Sequence, residues 1–449
     1  MISWIAEKVG DFKGRFAQEV VQQVSEEAVR RTLPGFTKRK RLWDVWSVMR
    51  TFLCQVAGGS SCREAVALAI AQEWVRKDAS VLTPAYCKAR GRLPEKGLRQ
   101  LALSVGVGLE QEAARAECWP HRPVKVVDGT GVRLADTASN QAAYPQGSHQ
   151  KPGCSFPVMY VCALMGLTGG GILDAEFGAG PGRDRLMFRK LWRSLEEGDI
   201  VLTDAGFGSY AEIAALRERG VDSLVRLGKR KARAGRVLEL GDDDWIVEWE
   251  RPKKPGEWIE ADRLPEKLRM RVVEFGVERP GLRTRKVALA TTLLDADLYP
   301  KRMLMALYRR RWEMELRLRD IKTTMGLEEL HCKSAQGCRK ELWMGLMAYN
   351  LIRTVMADAA RRARLSLARI SFAGTLQRLR AFGQAPADGF SFRATYRLLL
   401  EHIARDRLPK RPNRREPRAV KGRPKNYQRL TAPRHEFQEV LHRNHYKAA

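Results

Sequence analysis

The stretch 157–178 does most to limit what this chain can fold into. It reads PVMYVCALMGL, then TGGG, then ILDAEFG. An apolar run, a Gly turn and a second run predict two antiparallel strands. Before it, VKVVDGTGVRL at 124–134 reads as a short strand with Asp128 at its end. After it come a helix over 183–197 and the strand DIVLTD, with Asp204 at its C-terminal end. A helix over 210–219 and the strand VDSLVRLG follow.

Three antiparallel strands followed by alternating helix and strand predict an α/β layout of ribonuclease H-like type, with a mixed five-stranded sheet and helices. This core spans 121–228 and resumes over 286–335, where KVALATTLLD supplies another strand. Between them, 229–285 is charged and places Trp245, Trp249 and Trp258 among short β-like pieces, so it reads as a β-rich insertion. Residues 1–120 read as an all-α N-terminal domain. Ser61-Cys62-Arg63-Glu64 is a capping box, and Thr83-Pro84 starts a helix carrying Lys88, Arg90 and Arg92. A helix, a short turn and a basic helix form a possible helix-turn-helix DNA reader, although many helix pairs look the same. Residues 336–449 read as a helical region with a basic tail. Within it, 405–429 has eleven Lys/Arg against two acids, and four prolines. Such a segment buries too little to fold alone and reads as a strap for phosphates.

The charge of the whole chain points the same way. Lys and Arg total 81 against 52 Asp and Glu, a formal net charge of +29. A surplus of that size favours a polyanionic partner, nucleic acid first. The longest apolar run, VMYVCALMGL, is too short to span a bilayer, and Ile2 to Ile5 is too short for a signal peptide, so the chain reads as cytosolic. The eight cysteines include no CxxC and read as reduced and structural.

YRRRWEMELRLRDIK at 308–322 crowds cations and carboxylates among Trp, Met and Leu. On one regular helix, Tyr308, Arg311, Glu315, Arg319 and Lys322 share an arc of about 80°. Trp312 and Leu316 flank that arc on one side; Leu307, Met314, Leu318 and Ile321 flank it on the other. Arg309, Arg310, Glu313, Arg317 and Asp320 fall on a far side that reads as solvated. Glu315 with Arg311 and Arg319 could be a plain salt-bridge ladder. Yet the stripe sets one carboxylate against several cations, and the excess charge calls for an anion.

Asp128, Asp204 and Glu315 therefore stand out together. Strand C-terminal ends are where α/β sites gather. Asp followed by Gly, or by Ala-Gly, can equally be a turn. Jointly, the three can hold Mg²⁺ with water and substrate phosphate completing the shell, a pattern suited to phosphoryl transfer.

Tyr308, Arg311, Glu315 and Lys322 have the Tyr-x(2)-Arg-x(3)-Glu-x(6)-Lys spacing of the insertion sequence four family of bacterial DDE transposases, which this chain resembles. VVDGTGVRLADT with NQAAYPQ, IVLTDAGF, ATTLLD, RDIKTTMGLEELHCKS and REPRAVKGRPKNY are similar to the family's other blocks. The resemblance runs from about residue 50 to 430 and is weakest in the insertion. It implies that Asp128, Asp204 and Glu315 are a catalytic, metal-binding triad for two Mg²⁺ ions, with Mn²⁺ able to substitute. It also implies that Tyr308, Arg311 and Lys322, with Arg319 nearby, handle the DNA end. It further implies a homodimer on paired double-stranded ends, cutting of terminal inverted repeats, and joining of the 3′-hydroxyl to target DNA, with or without a hairpin. The expected setting is the bacterial nucleoid. Some members of the family stack a flipped base on a Trp of the insertion; Trp245, Trp249 and Trp258 are the candidates here, and no motif match selects one. Ala205 departs from the family, which often has a basic residue after the second Asp. Asp136 rivals Asp128 for the first position, and Asp128 is favoured because it directly follows the apolar run.

Two other readings share these features. A structure-selective nuclease of the same core needs the triad without the signature stripe. A transposase-derived DNA-binding protein would have lost a triad carboxylate, and all three are present.

Overall fold

The computed structural model describes residues 25–409 apart from 35–41, 77, 115–118, 120–121, 148–153, 181, 229–233, 255, 277–285 and 383–391. The basic segment from 410 onward, with its REPRAVKGRPKNY block, lies outside the described residues.

Among the described residues five helices come first: α1 (Glu26–Thr32), α2 (Val45–Gly58), α3 (Cys62–Ala71), α4 (Pro84–Arg92) and α5 (Glu95–Ala114). The capping box forms. Ser61 Oγ accepts the Glu64 N–H at 3.2 Å and Glu64 Oε2 accepts the Ser61 N–H at 2.6 Å, so two orphan donors at the start of α3 are satisfied. Pro84 sits in the first turn of α4, where its missing N–H costs nothing. Arg90 does not project from that helix as a DNA reader would. Its guanidinium donates to Gln55 Oε1 at 3.0 Å and to Cys332 Sγ at 3.4 Å, and lies over the Phe52 ring. It therefore ties the N-terminal helices to a distant part of the chain, while Lys88 and Arg92 stay exposed.

The remaining elements are β1 (Val124–Leu134), α6 (Ala138–Ala143), β2 (Val158–Gly166), β3 (Ile172–Ala179), α7 (Asp184–Leu191), β4 (Ile200–Thr203), α8 (Tyr210–Glu218), β5 (Asp222–Leu227), β6 (Arg236–Gly241), β7 (Asp244–Glu250), β8 (Lys267–Gly276), β9 (Lys286–Thr291), α9 (Lys301–Arg310), α10 (Trp312–Arg319), β10 (Glu329–Leu330), α11 (Ala335–Arg362), α12 (Phe372–Phe382) and α13 (Phe392–Arg405). Among the described residues the strands form one mixed sheet in the order β3-β2-β1-β4-β5-β9-β8-β7-β6, with β10 beside β1. β2 runs antiparallel to both β1 and β3, and β4 and β5 run parallel to β1. β6 to β8, from the 229–285 stretch, extend this same sheet because β9 offers β8 a free edge from Arg271↔Thr291 to Gly276↔Lys286.

Side chains alternate between the two faces of the sheet, as a period of two requires. Val127, Cys162, Leu164 and Val201 pack with Met187, Phe188 and Leu191 of α7 and Leu216 of α8. Val126, Val161, Ala163 and Leu202 belong to the core that includes Leu304, Leu307, Met314 and Leu318 of α9 and α10, together with Trp343 of α11. The helix from Ala335 to Arg362 is buried along most of its length. Asn350 fixes it to both neighbours. Its Nδ2 donates to Ala102 O of α5 at 2.9 Å and to Ile172 O at 3.1 Å, while its Oδ1 accepts the Ile172 N–H at 2.8 Å. Among the described residues no helix is long and apolar enough to cross a membrane.

Candidate active site

The edge of β1 that faces β4 is only partly paired. β4 covers it through Val126↔Leu202, and β10 begins at Arg133↔Glu329. Asp128 sits in the gap between them. The expectation of a short strand ending at Asp128 is thus corrected: Gly129-Thr130-Gly131 keeps pairing with β2 as far as Arg133↔Val158. What ends at this level is β4, and Asp204 follows its last residue, Thr203. A Cβ on Gly129 would come within 2.9 Å of Asp184 Oδ1 at the start of α7.

The expected single helix over 308–322 is also corrected. It breaks at Arg311 into α9 and α10, and the Arg311 N–H reaches back to Tyr308 O at 3.0 Å, a tightened turn. The end of α10 widens into a π-helical turn over Asp320–Thr324, closed by Met325 N–H to Asp320 O at 2.9 Å. Such turns displace side chains from a regular helical projection and recur at functional sites. Lys322 lies on this turn.

Three of the five stripe residues, Glu315, Arg319 and Lys322, meet Asp128 at one cavity. A cavity of about 460 Å³ is lined by Asp128, Glu315, Leu318, Arg319, Lys322 and Glu328, among others. Arg311 stands beside it. Its Nη1 is 3.7 Å from Asp128 Oδ2 and its Nη2 donates to Glu315 Oε1 at 3.1 Å. Tyr308 points at the end of β4, where its hydroxyl donates to Thr203 O at 3.3 Å. Asp204 Oδ1 accepts the Gly206 N–H at 2.8 Å, and Asp128 Oδ1 accepts the Gly129 N–H at 2.8 Å. Asp136 is elsewhere, exposed and accepting from Gln141 Nε2 at 2.8 Å.

Electrostatics joins the three carboxylates. Burial pushes the Asp128 carboxyl above its ordinary value, and the negative charges of Asp204 and Glu315 push the same way against the Gly129 N–H and Arg311. Burial also works against the Arg311 charge, yet Tyr308, Glu315 and Asp128 hold its pKa above the ordinary value. Burial raises the Tyr308 hydroxyl. Among the described residues, no three His, Cys, Asp or Glu stand close enough together to hold a metal ion. Arg311 occupies the place between Asp128 and Glu315 as their counter-charge. Carboxylate oxygens are the donors a hard divalent ion takes, and those of Asp128 and Glu315 line the cavity while Asp204 follows the end of the neighbouring strand.

Several features were not foreseen. Glu328 lines the cavity from the loop before β10, and no periodicity marked it. Parallel register at Thr203↔Val225 carries Arg226 alongside Asp204, next to the position where Ala205 stands. The flank formed by Trp312 and Leu316 is exposed, at 55% and 44%. The far side of the helix, expected to be solvated, is exposed at Arg309 but half-buried at Arg310, Glu313 and Asp320. Arg317 is buried there against backbone carbonyls. Of the three Trp candidates, Trp245 is buried in the core under β7 and β8, Trp258 packs edge-on against Trp192 under the Arg189 guanidinium, and Trp249 is half-buried.

A family model described as a transposase DDE domain matches residues 119–351. The chain is 28% identical over 369 residues to the transposase InsG for insertion sequence element IS4 of Escherichia coli (strain K12), covering 79% of each protein. Among solved structures, it is similar to the piggyBac transposase synaptic complex with hairpin DNA, with a TM-score of 0.42 and 8% identity over 89% of this chain and 84% of that one. It is similar to the Mos1 transposase paired-end complex with left transposon end at a TM-score of 0.16 and 14% identity, over 41% of this chain and 59% of that one.

Proposed function

The chain belongs to the transposase DDE domain family, in the group of the insertion sequence element IS4, and from that premise we propose that it cuts the ends of its own element and joins the freed 3′-hydroxyl to target DNA. The observation that carries the proposal is the shared cavity. Asp128 and Glu315 line it together with the cations Arg319 and Lys322, and Asp204 ends the neighbouring strand. Carboxylates and cations around one opening suit a phosphodiester: the first hold a metal, the second hold phosphate oxygens.

In this reading the core is ribonuclease H-like, which the order β3-β2-β1-β4-β5 supports. The helices before β1 form a DNA-contacting domain, 229–285 an insertion, and the region after 335 a helical and basic end. Asp128, Asp204 and Glu315 would hold two Mg²⁺ ions, or Mn²⁺ in their place. When bound, such ions supply a Lewis acid that activates the attacking oxygen and stabilises the leaving one.

The chain's own residues do the rest. Asp128 must be ionised, and Arg311 favours that form. Arg319 and Lys322 balance the phosphates beside the scissile bond. Tyr308, anchored on Thr203, walls the site beside Asp204. Two copies holding paired double-stranded ends would present two such sites.

The test is incubation of the full chain with labelled DNA carrying its terminal inverted repeats. Cuts at the repeat ends that leave 3′-hydroxyls and are then joined to a second DNA support the proposal. Cutting without end preference would favour a nuclease, and end binding without cutting would favour a DNA-binding derivative.

A further inference from the structure

The turn between β2 and β3 is held from three sides. Leu167-Thr168-Gly169-Gly170-Gly171 would leave several backbone groups unpaired in the interior, an expensive arrangement. The contacts come from side chains of three helices. Glu110 of α5 accepts the Gly169 N–H at 3.0 Å and the Gly171 N–H at 2.8 Å. From α11, Arg353 donates to Gly169 O and Tyr349 donates to Gly170 O. From α10, Arg317 donates to Gly166 O and Leu167 O, both at 3.1 Å.

Arg317 lies two residues beyond Glu315, and its side chain is 9% exposed. Its Nη2 also bonds Glu313 Oε2 at 2.6 Å, and Glu313 in turn holds Arg310, which reaches Leu167 O at 3.4 Å. The packing leaves no slack. Gly170 has φ +79, and a Cβ there would fall 2.9 Å from the Arg317 guanidinium carbon and 2.7 Å from Arg353 Nη2. The turn Arg317 grips is the end of β2, and β2 carries Ala163 opposite Asp128. A packed path thus runs from Asp128 across one strand pair to Gly166 and Leu167, through Arg317, and back about half a turn of α10 to Glu315.

We propose that Arg317 is a positioning residue that sets Glu315 at its working distance from Asp128 by locking α10 onto the β2–β3 turn. This rests on the reading of Glu315 as a catalytic carboxylate. A planar, always-charged fork suits the task, because one guanidinium meets two carbonyls and a carboxylate at once. Lys in its place would supply a point charge for only part of that set.

The test compares the full-length wild type with Arg317→Met, Arg317→Lys and Gly170→Ala. Gly170→Ala crowds the Arg317 and Arg353 guanidinium groups and strains a backbone at φ +79, without removing a charge. Folding is followed by thermal melting, end binding by fluorescence anisotropy, Mn²⁺ binding by loss of the free-ion electron paramagnetic resonance signal, and chemistry by single-turnover end cleavage. For Arg317→Met, end binding stays at the wild-type level and Mn²⁺ binding weakens about 10-fold. Cleavage slows about 100-fold, the order expected of an ångström-scale misplacement. Gly170→Ala follows Arg317→Met, and Arg317→Lys recovers part of both losses. Folded variants that bind Mn²⁺ and cut like the wild type would overturn the proposal, as would losses that only track the folded fraction with no advantage for Lys. A wild type that neither binds Mn²⁺ nor cuts would instead overturn the reading of the site, and the role of Arg317 with it.

Discussion

Asp128 and Glu315 share a single counter-charge: Arg311 stands 3.7 Å from one and 3.1 Å from the other. Two carboxylates brought together beside a cavity repel each other, and the guanidinium offsets that repulsion while no other cation is bound. Arg311→Ala therefore destabilises the metal-free protein by about 2 kcal/mol, the scale of a hydrogen bond to a charged group that is not fully exposed. Urea denaturation in EDTA measures this. Added Mn²⁺ narrows the difference, because it supplies the missing charge to the folded state alone.

The raised Asp128 carboxyl makes a prediction about pH. Its folded pKa lies above its unfolded one, so the folded state binds the proton more tightly. As pH rises from about 4, the ordinary carboxylate range, through the folded value, ionisation of Asp128 costs stability. Below that window the cost is absent. Asp128→Asn removes this part of the slope, which denaturation midpoints across the acidic range will show.

Much of this was legible in the sequence, for identifiable reasons. The strands announce themselves through short apolar runs bounded by Gly and Asp, and the wheel over 308–322 finds the stripe because its core-facing side, Leu307, Met314, Leu318 and Ile321, is apolar and buried. The failures are equally specific. Gly-Thr-Gly after Asp128 looks like a turn, but pairing with β2 overrides local propensity. A regular projection cannot foresee the break at Arg311 or the π turn at Lys322. It also treats any charged face as solvated, whereas Arg317 is drawn inward by the carbonyls of a Gly-rich turn 150 residues away in the chain.

The docking of the N-terminal helices on the sheet depends on a buried aspartate. Asp174 of β3 is fully buried. It accepts from Arg99 of α5 at 2.7 Å, from Arg193 Nε at 3.1 Å and from Ser194 Oγ at 2.8 Å. Asp174→Ala leaves two guanidinium groups without their shared acceptor and costs about 3 kcal/mol. The thermal midpoint falls accordingly, while a surface control such as Asp78→Ala, in an exposed ion pair, stays close to wild type.

Arg319 and Lys322 flank Glu315 on the cavity wall without belonging to the carboxylate set. Arg319→Ala and Lys322→Ala each weaken DNA binding uniformly across sequences and lower the salt dependence of log K by about 1. Anisotropy titrations over a range of salt concentrations give that slope. An unchanged slope for either variant would remove that residue from the phosphate contacts.

The central claim is that Asp128, Asp204 and Glu315 form one metal-dependent site for cutting DNA. The most direct measurement is single-turnover cleavage of terminal-repeat DNA by wild type and Glu315→Ala, with Mg²⁺ or with EDTA, alongside end binding. The account predicts cuts at the repeat ends by wild type in Mg²⁺ only, none by Glu315→Ala, and equal binding by both. Normal cutting by Glu315→Ala, or cutting by wild type in EDTA, would contradict it.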